Sequence, residues 1–213
     1  YNKISKLMPG TILSISINDK EPKISKYWSL NEVVMKGLDN FHSGDDTKVI
    51  NGLEDVLKRS VEQQMVADVP LGAFLSGGID SSLIVALMQQ QSNQAVKTFS
   101  IGFFDDSYNE AKHAKEVAKY LNTDHAELYV SHQDAIDVIP KLPMIYDEPF
   151  SDSSQIPTFL VSQLARGDVK VSLSGDAGDE LFGGYNRYLL TDKVWGKISR
   201  LPVSIRRGLA IMM

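Results

Sequence analysis

Short apolar runs alternate with helical stretches between residues 71 and 173, and few architectures accept that order. The runs at residues 71–75, 96–103, 126–130 and 169–173 read as strands. Helical stretches fall at residues 81–90, 109–121, near 133–145 and at 158–166; in the second, Ala114, Val117, Ala118 and Leu121 share one side. This order predicts an α/β fold, a parallel sheet flanked by helices on both faces. Ligands in such sheets sit at the carboxyl ends of the strands. The sequence shows no internal repeat and no low-complexity segment.

Ahead of this region, residues 11–17 and 23–28 read as two strands joined by a turn at Asn18-Asp19-Lys20. A hairpin of that size does not fold alone, so it is assigned to a neighbouring domain. Residues 31–46 are polar and contain Gly, and read as a linker. A helix follows with Asp46 or Thr47 as N-cap, and Val49, Leu53, Val56, Leu57, Val61 and Met65 mark its apolar face. The expected division is residues 1–35 and residues 36–213.

Composition excludes several classes. The 213 residues carry a net charge of −5, which argues against general binding to nucleic acid or acidic membranes. There is no cysteine, hence no disulfide, cysteine-ligated metal or cysteine nucleophile in this chain. No apolar run approaches the roughly 20 residues that span a bilayer, and no signal peptide opens the sequence. A cytoplasmic enzyme is compatible with all of this. The sequence opens on Tyr1 and closes on Ile211-Met212-Met213 inside an apolar stretch, and reads as part of something longer.

The sharpest local feature is Ser76-Gly77-Gly78-Ile79-Asp80-Ser81-Ser82, set between an apolar strand and a helix. Gly77 and Gly78 allow close backbone approach. Ser76, Ser81 and Ser82 supply hydroxyls, and the helix N-terminus supplies free N–H groups and a positive dipole end. Together they form a cradle for an anion. The lysine of a Walker A loop is missing, and a carboxylate, Asp80, stands in the cradle instead. A carboxylate beside phosphates is tolerable where a cation bridges them, and oxygen ligands with phosphates suit Mg2+. The plain alternative is a Gly-Ser turn before an ordinary helix.

A second glycine-rich turn, Ser174-Gly175-Asp176-Ala177-Gly178-Asp179-Glu180-Leu181-Phe182-Gly183-Gly184-Tyr185, follows the last strand. Its three carboxylates disfavour one another's ionisation, a cost that a bound cation or a hydrogen-bonding substrate relieves. A third segment, residues 146–158, is polar between apolar helices and is interrupted by Pro149 and Pro157. Its Ser153 and Ser154 could donate to a carboxylate, and Asp147, Glu148 or Asp152 could hold an ammonium group, the two ends of an amino acid. The alternative is a helix-capping loop. His113, His125 and His132 lack metal-ligand spacing and are read as solvated or core residues. Trp28 and Trp195 read as packing anchors, and Arg206-Arg207 as a solvated helix face.

The heptad at residues 76–82 resembles the signature of the ATP-pyrophosphatase superfamily, and residues 174–185 resemble the second signature of asparagine synthetases within it. The resemblance runs from about Lys3 to Tyr188, most specifically over residues 68–82 and 169–188. It implies an adenine nucleotide α-hydrolase-like fold of the ATP-pyrophosphatase type, with the first strands and Tyr27-Trp28 closing an Ntn-type glutaminase domain. It implies ATP and Mg2+, with Ser76, Gly77, Gly78, Asp80, Ser81 and Ser82 around the pyrophosphate and Ser174 and Gly175 at the nucleotide. Backbone near Leu75, Ile101 and Gly102 is implied for the adenine, with sheet core as the alternative. Asp80 and Asp179 become the metal ligands. Asp176 becomes a base or substrate-orienting carboxylate; some family members carry Glu there, one methylene longer. Asp147, Glu148, Asp152, Ser153 and Ser154 are implied on the substrate side.

The chemistry implied is adenylation of aspartate with release of pyrophosphate, then amidation by ammonia, drawn from glutamine in the full enzyme. A catalytic lysine is expected beyond residue 213. The partners implied are small molecules (ATP, aspartate, ammonia or glutamine), with no nucleic acid and no membrane; a homodimer is compatible, and the sequence does not set the oligomeric state. Related readings are an amidotransferase or β-lactam synthetase acting on another carboxylate, and, from a different class, a non-catalytic nucleotide-binding module. A tRNA-modifying member is disfavoured by the acidic balance and the second turn.

Overall fold

The computed structural model describes residues 2–19, 21–42, 44–104 and 109–212. By its internal contacts the chain divides into two compact units, Tyr1–Glu54 and Asp55–Met213.

In the first unit, β1 (Thr11–Ser14) and β2 (Lys23–Lys26) pair antiparallel, with Thr11 opposite Lys26 and Ser14 opposite Lys23. Both strands are shorter than the sequence suggests. Ser16 leaves the ladder to make a turn, its Oγ accepting from the backbone N–H of Asn18 and of Asp19. Lys20 of the expected turn lies outside the described residues. The expected linker at residues 31–46 is instead largely helical: α1 covers Leu30–Asp39. Val33, Val34 and Leu38 repeat at helical spacing, while Glu32 in the first turn and Lys36 in the last complement the helix dipole. These outweigh Gly37, which costs about 1 kcal/mol in a helix.

The next helix, α2 (Asp46–Gln64), starts one residue after its cap. Asp45, not Asp46 or Thr47, caps it: its Oδ1 accepts from Thr47 N–H at 3.4 Å and its carbonyl from Lys48 and Val49. In the second unit the expected alternation appears as β3 (Leu71–Phe74), α3 (Ile79–Gln91), β4 (Lys97–Phe103), α4 (Ala111–Leu121) and β5 (Asp124–Val130). The single helix expected near residues 133–145 is broken into α5 (His132–Val138), a 3-10 turn (Ile139–Lys141) and α6 (Leu142–Ile145). Pro140 and Pro143 each lack an N–H and each opens a new short helix. Then come α7 (Gln155–Ala165), β6 (Val171–Leu173), α8 (Gly178–Phe182), α9 (Asn186–Ile198) and α10 (Val203–Met212). Among the described residues no helix is long and apolar enough to cross a membrane.

The sheet is wholly parallel in the order β5-β4-β3-β6. Leu71, Gly72 and Ala73 sit opposite Val171, Ser172 and Leu173. The expected parallel α/β fold is therefore observed. Side chains alternate between faces. Ala73 and Leu75 join Val85, Met88, Ala114 and Ala118 under α3 and α4. Phe99 joins Ala165 and Val169 on the opposite face, under α7. Burying a side chain such as Phe99, Leu75 or Met88 contributes roughly 1.5–3 kcal/mol.

A polar seam runs through this apolar layer. Thr98 and Ser100 of β4 are buried, and they face His125 and Glu127 of β5 beneath α4. Both ring nitrogens of His125 are used, Nδ1 at 2.9 Å from Thr98 Oγ1 and Nε2 at 3.2 Å from Ser100 Oγ. Glu127 Oε1 lies 3.8 Å from His125 Nε2 and 3.1 Å from Lys115 Nζ of α4.

Two predictions follow from this packing. A Cβ on Gly72 would stand 2.8 Å from both the Lys97 carbonyl oxygen and Phe99 Cε2. Gly72→Val is therefore expected to lower the unfolding free energy by about 1–3 kcal/mol, read as a lower urea midpoint. Burial holds the His125 imidazole below its ordinary value of 6.5; Glu127 opposes this and Lys115 adds to it. Between the folded and unfolded values the unfolded chain binds the extra proton, so stability is full above about pH 6.5 and is lost as pH falls. Urea midpoints compared at about pH 7 and about pH 5.5 are expected to fall less in His125→Asn than in the unaltered protein.

Candidate functional site

The turn at residues 76–82 leaves the carboxyl end of β3, and the turn at residues 174–185 leaves the carboxyl end of its parallel neighbour β6. β3 connects onward to β4 on its other side, so the chain switches direction between β3 and β6, where open α/β sheets form their crevice.

In the first turn the backbone folds onto its own hydroxyls. Ser76 N–H donates to Ser81 Oγ at 3.2 Å, the Ser76 and Ser81 hydroxyls meet at 2.9 Å, and Gly78 N–H donates to Ser76 Oγ at 3.2 Å. The Ser82 hydroxyl is buried and finds no hydrogen-bond partner among the described residues. It is the one serine hydroxyl of the turn not already engaged. Gly77 has φ +83°, a conformation that a side chain strains. A Cβ there would lie 2.6 Å from the Ala114 nitrogen, so the first turn of α4 walls this side of the loop. Gly78 caps α3 without a side chain, and α3 starts two residues earlier than expected, which puts Asp80 in its first turn.

The second turn is not all loop, since α8 occupies its middle. Ala177 takes a left-handed conformation, φ 71°, at the start of α8, and Gly183 another, φ 69°, at its end. Ser174 Oγ donates to Asp176 Oδ2 at 2.9 Å. The Asp179 carboxylate is turned onto Gly184, whose N–H donates to the Asp179 carbonyl. Tyr185 donates to Glu180 Oε1 at 2.8 Å and carries the Arg187 guanidinium over its ring.

The two turns touch, Gly175 against the backbone at Ser81 and Gly178 against the Asp80 side chain. A Cβ on Gly175 would stand 2.6 Å from Ser81 N, and one on Gly178 would stand 2.5 Å from Asp80 Cγ. Asp80 is thus seated against the residue that precedes Asp179. Among the described residues no group of three or more His, Asp or Glu is arranged to hold a metal ion by itself.

The remaining expected residues fall at the same end of the sheet but are not all joined to this pair. Leu75 is buried in the core, and its N–H is spent on the Phe99 carbonyl at 2.9 Å. Ile101 packs its side chain into the cluster of Val130, Val138 and Leu160. Gly102 is buried where a Cβ would meet Tyr129, Ala111 and Asn109. Residues 147–154 precede α7, whose N-terminus lies at the carboxyl ends of the strands, since α7 runs back to feed β6. There Asp152 Oδ1 accepts from Ser154 N–H at 2.8 Å, and bonds from Ser154 hold the Asp152 carboxyl below its usual range. Asp152 thus closes a turn just ahead of Ser154, the residue that precedes α7. Pro149, Phe150, Ser151 and Ser153 line an open hollow of about 340 Å³ beside it. The seam around His125 was read from sequence as an ordinary core or solvated histidine. Its signal was present as paired polar residues two apart, Thr98 with Ser100 and His125 with Glu127, on one face of neighbouring strands.

The asparagine synthase family model matches residues 52–212. The chain is 40% identical over 190 residues to a putative glutamine-hydrolyzing asparagine synthetase 2 of Methanocaldococcus jannaschii, covering 89% of this chain and 35% of that protein. It is 39% identical over 144 residues to the glutamine-hydrolyzing asparagine synthetase 1 of Bacillus subtilis, covering 68% of this chain and 23% of that one. The chain thus spans about a third or less of the length of these relatives. Among solved structures, an NH3-dependent NAD synthetase from Campylobacter jejuni aligns with a TM-score of 0.42 at 17% identity, over 67% of this chain and 62% of its own. With three-quarters of its length inside one family model, and both turns within the matched stretch, the chain belongs to the asparagine synthase family.

Proposed function

We propose that this chain is the nucleotide-handling part of a glutamine-dependent asparagine synthetase. The observation that carries the reading is the interlock of the two turns, Gly175 on Ser81 and Gly178 on Asp80, at the crevice between β3 and β6.

On this reading ATP lies across the crevice with its adenine near the backbone of Leu75, Ile101 and Gly102. Leu75 offers only its carbonyl, because its N–H is already bonded. The β- and γ-phosphates sit over residues 76–82 and the N-terminus of α3. Ser76 and Ser81 shape this cradle through their mutual bonds, and the free N–H groups at the start of α3 are the donors left for an anion. Ser174 and Gly175 flank the nucleotide. A β-carboxylate oxygen of aspartate attacks the α-phosphorus, the bond to the β-phosphate oxygen breaks, and pyrophosphate leaves with that electron pair. Ammonia, supplied from glutamine, then attacks the acyl carbon, and AMP departs as asparagine forms. Asp176, held by Ser174, orients the substrate or takes the proton.

The residues present fit a divalent cation that arrives with the polyphosphate. Asp80 and Asp179 would be two of its oxygen donors, with phosphate oxygens and water completing the sphere. Mg2+ held by them would neutralise charge building on the leaving group. Asp147, Glu148, Ser153 and Ser154 are assigned to the amino-acid side, with Asp152 acting through the turn it closes onto Ser154. Residues 1–35 are assigned as closing strands of a glutaminase domain.

Exchange of labelled pyrophosphate into ATP by the full-length parent protein tests this. With Mg2+, aspartate is expected to support exchange, and Asp80→Ala to reduce it on the order of 100-fold. Exchange with a different carboxylate only would retain adenylation and replace the acceptor. Mg2+-dependent nucleotide binding without exchange on any carboxylate would make the chain a binding module. Gly178→Ala, which pushes on Asp80, is expected to raise the Mg2+ needed for half-maximal exchange about tenfold with unchanged circular dichroism.

A further inference from the structure

The polar seam beneath α4 has a direction. Thr123 Oγ1 donates to the Ala118 carbonyl at the end of α4, so Thr98 donates to Thr123 Oγ1 at 3.0 Å. Thr98 Oγ1 then accepts from His125, which places the ring proton on Nδ1. Nε2 is left as an acceptor and takes the Ser100 hydroxyl proton. Glu127, facing His125 from the same strand, is held by Lys115 of α4. The charged groups acting on the ring are Glu127 from β5 and Lys115 from α4, and β4 turns the hydroxyls of Thr98 and Ser100 to it. The seam therefore reaches α4 at two points, the Ala118 carbonyl and Lys115.

The opposite end of α4 bears on the functional site. Its Ala114 nitrogen and His113 carbons are where a Cβ on Gly77 would land, and its Ala111 Cβ is 2.9 Å from where a Cβ on Gly102 would stand. α4 is thus the wall shared by the anion turn and the end of β4, with no slack at either contact.

We propose that His125 is a positioning residue, a neutral Nδ1–H imidazole that locks α4 to β4 and β5 and so fixes the wall against Gly77 and Gly102. His125 touches no ligand and acts through α4. The link to nucleotide affinity rests on the proposed ATP site, whereas the lock itself does not. Protonation would give Nε2 a hydrogen, reverse the Ser100 bond and draw Glu127 from Lys115, loosening the Lys115 attachment while Nδ1–H keeps its bond to Thr98.

The test uses two variants. His125→Asn carries an amide nitrogen near the position of Nδ1 and keeps the donor to Thr98. His125→Leu fills the space and leaves Thr98 and Ser100 facing an apolar group. Nitrogen NMR of the imidazole is expected to report the Nδ1–H tautomer at neutral pH, and the Nε2–H form would overturn the assigned direction. Amide exchange at Ala114, which bonds the Glu110 carbonyl in the first turn of α4, is expected to quicken about tenfold in His125→Leu and under about threefold in His125→Asn. The dissociation constant for MgATP is expected to rise by a similar factor in His125→Leu alone. Unchanged Ala114 exchange in His125→Leu, or exchange quickened equally in every helix, would overturn the proposal. If the unaltered protein fails to bind MgATP, the functional reading falls, and the exchange comparison still decides whether His125 locks α4.

Discussion

A side chain at Gly175 would stand 2.6 Å from the Ser81 nitrogen, and one at Gly178 would stand 2.5 Å from Asp80 Cγ. That close approach, of glycine backbone to the Ser81 backbone and the Asp80 side chain, is the constraint from which the site follows. Two turns come so close only if their strands are adjacent and point the same way, which the parallel pairing of β3 with β6 provides. Gly72, near the start of β3, lacks a side chain for a separate reason: a Cβ there would meet the Lys97 carbonyl oxygen and the Phe99 ring.

α4 closes a third side by a different means. The packing that holds α4 includes an apolar part, Ala114 and Ala118 under α3, and a polar part, the seam through His125. An apolar contact fixes a distance but tolerates sliding and repacking. A chain of hydrogen bonds with an assigned direction has one register, because each shifted register strands a buried donor or acceptor. Where a helix must meet Gly77 and Gly102 with no room to spare, the polar seam supplies the register that alanines cannot.

The sequence made the parallel sheet and both turns legible because their signals are local: an apolar run, then glycines and hydroxyls, then an apolar helix. Periodicity carried the strands to within a few residues. The misses have physical causes. Residues 31–39 looked polar, yet Val33, Val34 and Leu38 at helical spacing made α1. The helix expected at residues 133–145 broke where Pro140 and Pro143 withhold their N–H groups. α8 hid in a glycine-rich stretch because five helical residues leave no periodicity to read. The seam at His125 could not be read as a unit, because it depends on the register between β4 and β5. A strand pairing is set by tertiary contacts, and one residue of slip sends a side chain to the other face.

Asp80 raises a last question of balance. In the first turn of α3 its negative charge is favoured by the helix dipole, an effect of about 0.3–1 kcal/mol at an exposed position. In the turn Ser76 and Ser81 are bonded to one another and the carboxylate stands at the positive helix end. On the proposed reading, a polyphosphate at that helix end shares the same dipole with Asp80. Without a cation the two anions repel across a narrow crevice. On that reading a cation bridging carboxylate and phosphates would relieve the repulsion, and Asp179, which follows the Gly178 contact to Asp80, is the proposed second donor.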